Sequence, residues 1–344
     1  MITETTASGK LFVHHHAAHC ESGVTSALLR DQGFDISEQL IFGIGSGIFF
    51  GHLPFVKMVG LPITTFRSQP GAIFRKAGKR LGVKFTTKRF RNPQKGMNEL
   101  RLRLKEGKIV GLTTNIYWLS YFPRRFRFQF NGHNLIVLRE IENGFRVSDP
   151  ILEHPVDCPA DDLERARFAR GPLEPHGFMY SIKEMPKNLD IRGACIKGIR
   201  DTCNMMLKIP LPIFGVKGMR YLAKKIKNSP RKLGFDEACR HLANIVRMQE
   251  EVGTGGAGFR FMYAAFLQEA SELFGSDDLA RLSLEMTSIG DIWREFAVVS
   301  ARIIKQRGHS GETFDKVSDL MLTCAAREEI LFKNLRDVTG KLKA

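Results

Sequence analysis

The stretch HHHAAHCES, from His14 to Ser22, sets four histidines and one cysteine against the start of an apolar run. Val24, Leu28 and Leu29 recur at helical spacing after it and Gly33 stands just past the end, so the pattern predicts a helix over residues 20–32 with a thiol at its N-terminus. The thiolate is the nucleophilic form, and a helix N-terminus or a neighbouring imidazolium favours it. Backbone N–H groups of the first turn are also placed to hold a developing oxyanion. Two other readings stay open: a structural cysteine, and a zinc site built from His14, His16, His19 and Cys20. A metal on the sulfur would block its use as a nucleophile, and no second ligand cluster of standard spacing appears elsewhere.

A partner for the thiol has to come from another part of the chain. HNLIVLREIENGFRVSD, residues 133–149, shows two apolar runs split by Asn143-Gly144, which predicts a β-hairpin. His133 opens its first strand and Asp149 closes the second, and antiparallel pairing sets those two ends side by side. An aspartate beside a histidine fixes the ring's tautomer and stabilises the imidazolium formed when the thiol gives up its proton. Cysteine, histidine and aspartate then follow in the chain order of papain-like sites.

The surrounding elements fall into two kinds. Short amphipathic helices are predicted near residues 70–82 and 98–106, a strand in KIVGLTTNIYWL, and an exposed basic strand in YFPRRFRFQF just upstream of His133. From about Leu189 every segment has a helical pattern. HPVDCPADDLERARFARGPLEPHG, rich in proline and mixed charge, reads as a connector. LIFGIGSGIFFG carries too much glycine for a regular element. Residues 39–56, the least charged stretch, include four glycines, a histidine and a proline, which favours buried glycine-rich turns over a membrane span.

The chain has 344 residues and a formal charge of +16, and residues 67–127 hold 17 Lys or Arg against only Glu99 and Glu106. Such a belt attracts an acidic partner, whether nucleic acid, anionic lipid or protein, and a plain solvated surface is the alternative. The six cysteines are far apart with no CxxC pair, and MITETTASGK lacks the plan of a signal peptide, which points to a reduced, cytoplasmic protein. GTGGAG, residues 253–258, satisfies GxGxxG, with Asp277 or Asp278 near the distance of a ribose-binding acid. A helical pattern rather than a strand precedes it, which argues against a dinucleotide fold. Gly255, Gly256 and Arg260 are then expected to offer N–H groups and a guanidinium to a substrate or pantetheine phosphate, with a tight helix–helix turn as the alternative.

HCESGVTSALLRDQGFDISEQLIFGIGSGIFF together with GHNLIVLREIENGFRVSDP resembles the N-terminal domain of the butirosin biosynthesis protein H family, and GTGGAGFRFMYAAFLQEAS resembles the helical domain that usually follows it. The resemblance implies a papain-like fold and acyl transfer from a carrier-protein phosphopantetheine thioester, through the enzyme cysteine, to an amine or hydroxyl. It implies Cys20 as nucleophile, His133 as base and Asp149 as its orienter. Related peptidases carry a glutamine six residues before the cysteine as oxyanion donor. His14 stands there instead, so His14 or the Cys20 backbone N–H is expected to take that role.

The expected architecture is α+β. A papain-like cysteine acyltransferase domain spans residues 1–185, and an α-helical substrate or lid domain spans 186–344. The donor is expected to arrive on an acidic acyl carrier protein or CoA, with no metal or other cofactor, no nucleic acid and no transmembrane segment. A cysteine peptidase or thioesterase with the same triad is the nearest rival. A non-catalytic nucleic-acid or membrane-surface binder driven by the basic belt is the second.

Overall fold

The structure is a computed structural model that describes residues 2–58, 60–253 and 255–343. The elements run β1 (Ile2–Thr5), β2 (Leu11–His14), α1 (Cys20–Asp31), α2 (Glu38–Ile44), β3 (Ile48–Met58), β4 (Leu61–Arg67), α3 (Ala72–Leu81), β5 (Lys84–Lys88), α4 (Pro93–Lys105) and β6 (Val110–Thr114). After two 3₁₀ turns come β7 (His133–Ile141), β8 (Gly144–Ser148), β9 (Val156–Pro159), α5 (Ala160–Arg167) and β10 (Met179–Glu184). Six helices complete the chain: α6 (Ile191–Leu207), α7 (Gly215–Leu233), α8 (Phe235–Glu250), α9 (Arg260–Phe274), α10 (Asp277–Ile304) and α11 (Phe314–Lys341).

These residues form two compact units. One holds the chain up to Ile41 together with Ile73–Leu189; the other holds Phe42–Ala72 and everything from Asp190. A single cut at residue 185 therefore misses an exchange, because the segment 42–72, early in the chain, packs with the late helices. The stretch expected to be too glycine-rich for regular structure forms the end of α2 and the start of β3. Its glycines permit close packing: a Cβ on Gly43 would overlap the Phe266 ring, and one on Gly47 the Phe42 ring. The expected connector is also structured, since β9 and α5 lie within it, whereas YFPRRFRFQF forms a 3₁₀ turn at Arg124–Phe126 and no strand.

In the first unit a six-stranded antiparallel sheet has the order β5-β10-β6-β7-β8-β9. The central strand β7 is apolar on both faces because both are covered. Ile136 and Leu138 pack with Val24, Ala27 and Leu28 of α1, while Leu135 and Val137 pack with Leu100 and Leu104 of α4 and with Leu163 of α5. The alternation of β7 side chains thus seats the cysteine-bearing helix against the strand that opens with the histidine.

The hairpin forms as expected, with Ile141 paired to Gly144, but its glycine serves another purpose. Gly144 begins β8 and lacks a positive φ; a Cβ there would collide with the Cys158 carbonyl oxygen of the neighbouring strand.

In the second unit the β3–β4 hairpin lies with the helices around Trp293, whose ring stacks near Phe50 at 6.3 Å and meets Phe66 edge-on at 5.5 Å. Among the described residues no helix is long and apolar enough to cross a membrane.

Candidate active site

Cys20 is the first residue of α1, and His19 caps it, the ring Nδ1 accepting from the Ser22 amide. The backbone before the helix is anchored by Glu38, whose carboxylate accepts from the amides of Ala18 at 2.9 Å and His19 at 3.2 Å. Burial raises the Glu38 pKa above the ordinary carboxylate value. Gly23 lets the first turn sit against Pro150, because a Cβ at that position would press on Ala17 and Pro150. Glu21, wholly buried, accepts from the Ile73 and Phe74 amides and so caps α3. Four separate contacts therefore fix where the thiol sits.

His133 Nε2 lies 2.6 Å from Asp149 Oδ2, and the Cys20 side chain is the ring's other polar partner. Burial pulls the His133 pKa down, but the Asp149 charge, its hydrogen bond and the Cys20 sulfur outweigh that and push it up to about 10. The ring is therefore an imidazolium at neutral pH, the charge that favours a thiolate beside it. Asp149 is fully buried: Oδ2 also accepts from the Tyr121 hydroxyl at 2.8 Å, and Oδ1 accepts from the Ile151 amide at 3.1 Å. Phe122 packs edge-on against the imidazole at 5.7 Å and shields the pair.

His14, expected as oxyanion donor, is not placed for it. Its Nδ1 meets the Ser148 hydroxyl at 2.8 Å and its Nε2 the Leu152 carbonyl at 2.9 Å. Burial lowers its pKa, so the ring is neutral and its one N–H is committed to that carbonyl. The residue that does reach the sulfur is Asn134, with Nδ2 at 3.9 Å from Cys20 Sγ and 3.1 Å from the Gly132 carbonyl. Its Oδ1 accepts from the Tyr180 hydroxyl at 3.0 Å, which fixes which end of the amide faces the thiol. An asparagine inside the apolar strand HNLIVL was the available signal for it; nothing in the sequence marked Tyr121.

The zinc reading does not gather its ligands, since His14 is bound at Ser148 and His19 at Ser22. Among the described residues no group of three or more His, Cys, Asp or Glu is arranged to hold a metal ion. Burial pushes the thiols of Cys158, Cys195 and Cys203 up to about 12 and that of Cys324 higher, so they stay protonated.

Arg260 does not face an anion site. It and Glu328 are both 0% exposed, joined by two hydrogen bonds of 2.8 and 2.9 Å, and Arg260 also donates to the Gly258 carbonyl. Gly255, Gly256, Ala257, Gly258 and Phe259 all have positive φ, so the glycines of GTGGAG serve a left-handed turn between α8 and α9. Thr254 of that motif lies outside the described residues. Apart from Arg67, which is buried, the cations of the basic belt lie at or near the surface. Arg101, Arg103 and Lys108 pair with carboxylates, and Arg124 and Arg125, close in sequence to Phe122, are exposed.

Comparison with known proteins gives two family models along the chain. Butirosin biosynthesis protein H, N-terminal, matches residues 19–150, and the domain of unknown function DUF4872 matches residues 161–335, just over half of the sequence. Among solved structures, the chain is similar to a protein from Bacillus anthracis assigned as a C39-like peptidase, at 15% identity and a TM-score of 0.36, over 54% of this chain and 100% of that one. No curated protein matches.

Proposed function

For a chain that belongs to the DUF4872 family and whose residues 19–150 match the N-terminal domain of butirosin biosynthesis protein H, we propose a cysteine-dependent acyltransferase acting on carrier-protein or CoA thioesters. The coarser reading, a cysteine enzyme, is supported by the N-terminal family match and by the grouping of Cys20, His133 and Asp149. The observation that carries the chemistry is Cys20 at a helix N-terminus, hydrogen-bonded to an imidazolium that Asp149 holds in place.

In this reading the Cys20 thiolate attacks the thioester carbonyl carbon, a C–S bond forms, and the oxyanion is received by the Asn134 amide and the N–H groups at the start of α1. The carrier's C–S bond breaks and His133 protonates the departing thiolate. His133, now neutral, takes the proton of an amine or hydroxyl as that acceptor attacks the acyl-enzyme. Cys20 leaves as the thiolate, and His133 is again charged. Phosphopantetheine arrives on the donor, so no resident cofactor has a step. The exposed cations of the belt supply a face that an acidic carrier would recognise, and docking there should weaken with salt. Six free, buried thiols fit a reducing, cytoplasmic setting.

The test is to expose the protein to acyl-loaded carrier protein and read its intact mass. The expected result is an adduct of one acyl mass on Cys20, absent in Cys20→Ala, which amine or alcohol discharges to the transfer product. Release of free acid at a rate indifferent to either acceptor would reassign the enzyme as a thioesterase.

A further inference from the structure

We propose that the second unit carries a binding pocket for a small amphiphilic anion, an apolar body with one carboxylate or phosphate head, separate from the chemistry at Cys20. The pocket has a volume of about 220 Å³ and lies among the β3–β4 hairpin, α7, α8 and the start of α11. Its walls are apolar, with Leu222, Ile226, Leu242 and Ile245 contributing buried side chains.

The charged side chains that line the pocket are cationic, beside the uncharged Thr64, Ser229 and Asn244. Lys225, Lys232, His52 and His241 all line the pocket, and no aspartate or glutamate does. Among the described residues neither lysine pairs with a carboxylate. Lys225 instead sits 5.3 Å from the centre of the Tyr221 ring. Of the two imidazoles, His241 lies 3.3 Å from Glu237, while His52 meets the Thr64 hydroxyl at 3.0 Å. Burial, then the nearby His241 and Lys225, lowers the His52 pKa to about 4, so His52 is a neutral hydrogen-bonding group beside two charged rim lysines.

Apolar walls with a few convergent polar groups are the usual build of a small-molecule site. Two exposed lysines without carboxylate partners at its mouth select an anionic head, and the enclosed apolar wall takes the tail. A cationic amphiphile would meet like charge, and a neutral one would leave the lysines unused.

Calorimetric titration of the full-length protein with octanoate, octyl phosphate, octanol and octylamine tests this. Octanoate, octyl phosphate or both should bind saturably at one site, and which head wins identifies the class. Octanol should bind at least about tenfold more weakly, as expected for loss of a charge-assisted hydrogen bond, and octylamine not at all. Lys225→Met with Lys232→Met, both at exposed positions, should weaken the anion about tenfold or more while leaving the thermal melt in place. Ala238→Phe should abolish binding by filling the pocket. Equal affinity for octanol and the anions, unchanged anion binding in the folded double-lysine variant, or no binding by either anion would overturn the proposal. Acyl-adduct formation on Cys20, measured on the same samples, reports on the separate reading of that site.

Discussion

Tyr121 and His133 share one oxygen of Asp149. The Tyr121 hydroxyl donates to Oδ2 at 2.8 Å and His133 Nε2 meets the same atom at 2.6 Å. Burial and the Asp149 charge hold the Tyr121 pKa well above its ordinary value, so the hydroxyl stays a donor across the working range. Tyr121→Phe should remove a hydrogen bond to a charged group, an interaction of about 1.5–3 kcal/mol, and leave the ring in place. The expected outcome is acylation slowed about tenfold, with the melting temperature lowered by the lost bond but the protein still folded at assay temperature. A rate equal to wild type in stopped-flow acylation would show that the hydroxyl does not position the carboxylate.

Asp149 also sets the pH range. His133 binds its proton more tightly in the folded protein, about 10 against an ordinary 6.5. The stabilisation from that proton is fully present below 6.5 and is lost as pH rises through about 10. Acylation should therefore hold from neutral pH upward and fall on an alkaline limb near 10 that belongs to the Cys20–His133 pair. Asp149→Asn removes the charge that raises His133. It should cut the rate by roughly two to four orders of magnitude and move the limb toward neutrality. A pH–rate profile of the variant with its limb unmoved would assign the raised pKa to another cause.

How much of this was legible before the fold depended on range. The helix under Cys20 and the hairpin joining His133 to Asp149 are local patterns, set by spacing and a turn, and both formed as read. Asn134, Tyr121 and Tyr180 reach the site through the pairing of β6, β7 and β10 and a long loop, which no window of adjacent residues encodes. The exchange of residues 42–72 into the helical unit is likewise a long-range choice. His14 misled because its position before Cys20 is local, whereas its occupation by Ser148 and Leu152 is not.

That difference separates Asn134 from His14 in an experiment. Removing an oxyanion donor typically slows the reaction by a factor of about 10²–10³. Asn134→Ala should do so with little change in the concentration of donor needed for half-maximal rate. His14→Ala should instead lower the melting temperature, since it leaves the Leu152 carbonyl and the Ser148 hydroxyl without their partner, and should change the acylation rate of the folded fraction little. The reverse pattern, a rate collapse in His14→Ala and none in Asn134→Ala, would restore the assignment made from sequence position.

Arg260 and Glu328 allow a prediction about stability alone. Both are removed from water, and Trp293 Nε1 adds a third hydrogen bond, to Glu328 Oε1 at 2.8 Å. A buried pair contributes little net stability when intact, yet removing one partner strands the other charge. Arg260→Met should therefore destabilise the second unit by about 3–5 kcal/mol. Arg260→Met with Glu328→Gln should recover part of that loss, because no charge is then left without a counter-ion and the amide can still accept from Trp293. Denaturant melts of the wild type, of the single variants Arg260→Met and Glu328→Gln, and of the double variant close the cycle. If Arg260 instead served an external anion, the single variant would melt like wild type and lose only ligand response, and its burial against Glu328 argues for the first outcome.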